Sequence, residues 1–125
     1  MDKKDFRFDL EERTSKFGGE VIKLYQKIKQ DAINTPIINQ LIKSATSIGA
    51  NYAEANGASS KKDFRNKIHI CQKEAKETKH WLRMISESVP EVKAETRKLW
   101  QECHEFTLIF GKITATLNSK KRIRH

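Results

Sequence analysis

From Phe64 to Ile85 the positions suited to a core step four, three, four, three without a miss: Phe64, Ile68, Cys71, Ala75, Thr78, Leu82, Ile85. That spacing averages about 3.5 residues, keeps one stripe on one face of an α-helix and cannot be reconciled with a strand's alternation. Three other segments repeat it. Leu10, Thr14, Phe17, Val21, Leu24 and Ile28 form one stripe. Leu41, Ala45, Ile48, Tyr52 and Ala55 form a second, and Leu99, Cys103, Phe106, Phe110, Ile113 and Leu117 a third, which Trp100, Leu108 and Ile109 broaden. Four such stripes joined by short turns predict an all-α, antiparallel up-down four-helix bundle.

Punctuation sets the expected bounds at about 9–31, 36–56, 60–87 and 91–117, one domain over 1–117 followed by a basic tail, 118–125. Asp9 is the expected N-cap of the first helix, Thr35 with Pro36 opens the second, Ser60 with Asp63 opens the third, and Pro90 opens the fourth. Gly57 suits a left-handed helix end. Gly18 and Gly19 interrupt the first helix and imply a close neighbour there.

The second helix is unusual for its lack of charge. "SATSIGANYAEANGASS", Ser44 to Ser60, holds one charged residue, Glu54, in a chain that is 33% charged. A solvent-facing helix here would carry lysines and glutamates. The expectation is a helix enclosed by protein on most sides, in part by other copies of the chain, with small residues allowing close approach.

Charge is uneven. The net charge is +9; residues 1–60 carry nine basic and eight acidic side chains, residues 61–125 sixteen and eight. On the third helix Arg65, His69, Gln72, Lys76, Lys79 and Arg83 make a band without an acid, and "NSKKRIRH" adds Lys120, Lys121, Arg122 and Arg124. A solvated helix face explains such a band trivially. Repeated in an oligomer and joined to a basic tail, it fits an RNA- or DNA-phosphate surface. No base-reading motif accompanies it, so charge and shape would drive binding. On the opposite flank Ile70, Trp81 and Met84 suit either a wider core or a subunit contact. The alternative function is a protein-interaction scaffold or accessory subunit that meets an acidic protein and binds no nucleic acid.

Catalytic chemistry finds little support. Glu77-Thr78-Lys79-His80 offers one Glu-x-x-His where a di-iron bundle needs two, and His80 falls opposite the core stripe. No phosphate-binding glycine loop is present, and the serines and threonines of the second helix have no histidine near them in sequence. Cys71 and Cys103 read as reduced core residues. A non-enzyme without metal, cofactor or small-molecule substrate is expected. With no apolar run of membrane-spanning length and no secretory leader in "MDKKDFRFDLEERT", so is a cytoplasmic location without membrane association.

The stretch "LIKSATSIGANYAEANGASSKKDFRNKIHICQKEAKETKHWLRMI" resembles the bacterial four-helix bundle proteins also called 23S rRNA intervening-sequence proteins. The resemblance runs from "DLEERT" to the last helix. It centres on S-I-x-x-N-x-x-E, here Ser47, Ile48, Asn51 and Glu54, with Ala55-Asn56-Gly57 standing where a glycine usually follows sooner. The resemblance implies an up-down bundle in a homo-oligomer, a pentameric ring in similar proteins. More distantly the chain is similar to the accessory protein of diversity-generating retroelements, a basic barrel that partners a reverse transcriptase and nucleic acid. It implies no catalytic residues. Ser47, Asn51 and Glu54 match the motif and are expected to serve assembly.

Overall fold

In a computed structural model that describes residues 3–123, and side chains from 9 to 119, the chain forms four long helices. They are α1 (Lys3–Gln26), α2 (Asn34–Asn56), α3 (Lys61–Ser88) and α4 (Lys93–Ile123), with a 3-10 turn at Pro90–Val92 leading into α4. The molecule is an all-α four-helix bundle, with no strand among the described residues.

The stripes account for the core. Leu10, Thr14, Phe17, Val21 and Leu24 of α1, Leu41, Ala45, Ile48 and Tyr52 of α2, the α3 run from Ile68 to Ile85, and Cys103, Phe106 and Phe110 of α4 are all buried. Phe17 meets Phe106 edge to face at 5.4 Å between centroids, and Tyr52 leans on Phe110 at 6.1 Å. One core expectation fails: Leu108 is 60% exposed, one position outside the buried pair Phe106 and Thr107.

Polar groups inside are matched among the described residues, with the indole Nε1 of Trp100 as the exception. Thr78 donates to Ser44 Oγ at 2.9 Å across α3 and α2. Cys103 Sγ lies 3.0 Å from the Ala75 carbonyl, and Cys71 Sγ 3.7 Å from that of Ile48. Both thiols are free, and burial pushes each up to about 12.

Helix ends depart from expectation where several residues compete for one role. Asp9 lies inside α1, which spans Lys3–Gln26, because residues 3–8 contain no proline or glycine to break a helix ahead of it. It runs through Gly18 and Gly19 uninterrupted. Asp31, not Thr35, caps α2: its carboxylate accepts from the Ile33 and Asn34 amides at 3.0 and 2.7 Å. Thr35 and Pro36 fall within the first turn; the Thr35 amide donates to the Asp31 carbonyl at 3.1 Å, and Pro36, which has no amide hydrogen, is tolerated so near the helix start. Gly57 has φ −98°, so the helix ends without a left-handed residue. Ser60 caps α3 as expected, its Oγ accepting from the Asp63 amide at 3.0 Å.

Small residues set the α1–α2 spacing. A Cβ placed on Gly49 would lie 3.4 Å from the carbonyl carbon, carbonyl oxygen and Oγ1 of Thr14; on Gly18 it would lie 3.7 Å from Thr46. Gly19 faces open space. Against α4, α1 uses long side chains: Arg13 donates to Glu102 at 2.6 and 3.1 Å and to Glu105 at 2.7 Å, and its guanidinium lies 5.4 Å from the Phe106 centroid. The hydrogen bond to Glu102 is the chief reason this guanidinium is held above its usual range.

Candidate functional site

The basic band of α3 turns toward α4, and that decides which cations are free. Lys79 is committed: its Nζ donates to His104 Nδ1 at 2.9 Å and sits 4.6 Å from the Trp100 centroid, while His104 stacks on Trp100 within 10° of parallel. Gln72 donates to the Thr107 carbonyl at 3.3 Å. Lys76 and Arg83 are exposed and Arg65 half-buried. The ion pairs of the described residues include none of these three.

Across the seam α4 contributes Lys93 and Arg97, both exposed and likewise outside every ion pair. The sequence reading missed them because a stripe on one helix cannot show which residues of the next it will adjoin. Their signal was present: Lys93, Arg97 and Gln101 recur every four residues beside Trp100. Near the 3-10 turn the two helices enclose a groove of about 370 Å³ lined by residues that include Arg83, Lys93, Arg97 and Trp100. The indole Nε1 of Trp100 is buried and has no acceptor among the described residues. Of the tail expected over 118–125, residues 118–123 continue α4; the side chains of Lys120, Lys121 and Arg122, and the whole of Arg124, lie outside what is described.

The S-I-x-x-N-x-x-E side chains serve α2 and its link to α3. Asn51 Nδ2 donates to the Ser47 carbonyl one turn back at 2.9 Å. Glu54 accepts from Lys67 Nζ at 2.7 Å, and that bond raises the affinity of the lysine for its proton. Ser47 is half-buried. Within one chain α2 is not enclosed on most sides: Lys43, Thr46, Ala50, Ala53 and Glu54 are exposed, so the low charge of this helix is not explained by burial in its own bundle.

On the outer flank of α3, Ile70 is 37% exposed, Met84 half-exposed, and Trp81 packs partly on the core while its Nε1 donates to Glu77 at 3.3 Å. Among the described residues no group of three or more His, Cys, Asp or Glu could hold a metal ion, and no helix is long and apolar enough to cross a membrane.

The sequence model of the family described as 23S rRNA-intervening sequence protein matches residues 8–110, from α1 into α4. The chain belongs to this family. Among solved structures it is similar to a protein with unknown function from the S23 ribosomal protein family of Bacteroides thetaiotaomicron. The two are 28% identical with a TM-score of 0.75 over 83% of this chain and 96% of the other. No curated protein matches the chain.

Proposed function

We propose that this member of the 23S rRNA-intervening sequence protein family is a non-catalytic, cytoplasmic, nucleic-acid-binding bundle. In this reading its helices alternate up and down and copies assemble into a homo-oligomeric ring. The up-down order is supported by the cross-helix pairs, in which partners fall as numbers rise: Thr14 and Gly18 against Gly49 and Thr46, Glu54 and Ser44 against Lys67 and Thr78, Gln72 and Lys79 against Thr107 and His104.

One observation carries the binding reading. Arg65, Lys76, Arg83, Lys93 and Arg97 gather on the α3–α4 face, and among the described residues none of them has a carboxylate within ion-pair distance. Unpaired lysines such as Lys16, Lys29 and Lys43 also occur elsewhere in the chain; what distinguishes this face is that two arginines and a lysine of α3 meet a lysine and an arginine of α4, a concentration of positive charge suited to a phosphate backbone. The family's name, which ties it to an intervening sequence of 23S rRNA, favours RNA as the first probe.

The test is an electrophoretic shift with labelled RNA and DNA. Reversing Lys76, Arg83 and Arg97 to glutamate is expected to abolish the shift while helicity and particle mass hold. Wild-type protein that shifts neither nucleic acid at low salt would refute the reading and favour an acidic protein partner. Assembly rests on exposed Ile70, the half-exposed Met84 and Trp81, and the uncharged outer side of α2 at Ala50 and Ala53. Trp81→Glu is expected to reduce the mass measured by ultracentrifugation with helicity retained.

A further inference from the structure

The groove at the turn end of the α3–α4 face differs from the rest of that face. Its walls bring Arg83 and Glu87 from the last turns of α3 against Lys93, Arg97 and Trp100 from the first turns of α4. Three cations thus border one concavity with a single carboxylate, and none of the four charged groups is in an ion pair. A volume of about 370 Å³ lies within the range of small-ligand sites. Trp100 contributes to the groove wall, while its Nε1 is sealed from solvent.

The charge count narrows the ligand. A bridging phosphodiester inside a strand brings one negative charge, whereas a terminal phosphate monoester brings about two near neutral pH and three oxygens able to accept. Arg83 and Arg97 supply planar forks suited to such oxygens, and Lys93 adds a point charge. Glu87 would repel a bare anion but accepts hydrogen bonds, which a sugar hydroxyl or a base amino group can donate. A phosphate carried on a nucleotide meets both demands, and inorganic phosphate meets one. Position agrees. From Arg65 to Arg83 the face runs toward the 3-10 turn at Pro90–Val92, so a strand lying along it reaches this groove where the hairpin ends.

We infer that the groove holds the phosphorylated terminal nucleotide of a strand bound on the α3–α4 face, with Arg83, Lys93 and Arg97 on the phosphate and Glu87 on the nucleoside. This rests on the nucleic-acid reading above and adds an end preference that the reading does not require.

The experiment compares full-length protein with one short labelled single strand in three forms: 5′-phosphate, 3′-phosphate and hydroxyl at both ends. Fluorescence anisotropy is expected to show one phosphorylated form binding about tenfold tighter than the hydroxyl form, the step expected of a charge-assisted hydrogen-bonded contact. The Arg83→Gln, Arg97→Gln double variant should bind all three forms alike. Equal affinity of the wild-type protein for the three forms overturns the end site and leaves the face standing. Absence of salt-dependent binding to any form overturns the reading beneath it. The wild-type comparison needs no variant to fold.

Discussion

Lys76 and Lys79 occupy equivalent places in the basic band, and the structure separates them. If the five unpaired cations of the α3–α4 face each neutralise one phosphate of a single strand, the slope of log affinity against log salt is about −3.5 per chain, at roughly −0.7 per contact. Lys76→Gln should bring it to about −2.8. Lys79→Gln should leave it near −3.5, because that ammonium is already held by His104 and the Trp100 ring. Its loss should appear in stability instead. A half-buried cation–π contact and one hydrogen bond together contribute about 1 to 2 kcal/mol. For a chain of this size that lowers the melting temperature by roughly 3 to 8 °C. The assays are anisotropy titrations over a salt series and thermal melts followed by circular dichroism. A Lys79→Gln protein that melts like the wild type and loses as much slope as Lys76→Gln would refute the assignment of Lys79 to the fold.

Other consequences can be measured directly. Gly19→Ala should raise stability by about 1 kcal/mol, since the helix gains and a Cβ meets nothing within 4 Å; Gly49→Ala should gain less or lose, because its Cβ crowds Thr14. Cys71 and Cys103 should resist thiol reagents until the protein unfolds. Because burial raises both to about 12, the unfolded chain ionises first and stability should fall as pH climbs from roughly 9 toward 12. Burial and then Glu77 raise the Glu74 carboxyl, so its charged form is disfavoured in the fold. Glu74→Gln should therefore stabilise at neutral pH in a chemical denaturation series, with the gain fading as pH falls through the acid range and both states protonate.

The helices were legible because burial has a period. Each stripe repeats often enough that a misplaced residue such as Leu108 does not disturb it. Caps were less legible because "DAINTP" contains three residues with capping chemistry, Asp31, Asn34 and Thr35, and only the geometry of the turn selects the Asp31 carboxylate. The site was legible by halves. Arg65, Lys76 and Arg83 follow from spacing along α3, but Lys93 and Arg97 join them only once α4 is folded back, and the same packing withdraws Lys79. The blandness of α2 was visible from the start. Burial within one chain does not account for it, since Ala50 and Ala53 are exposed.

The thinnest seam in the bundle is the one between α1 and α4. It is bridged by Arg13 with Glu102 and Glu105, by Lys27 with Glu95 at 3.6 Å, and by the Phe17–Phe106 contact. Solvent-exposed charges are screened by salt while the close-packed seams are not. The first helix is thus held on two sides by different means, by close packing on the second around Gly49 and Thr14 and largely by charge on the fourth, so added salt should weaken only the second of these attachments.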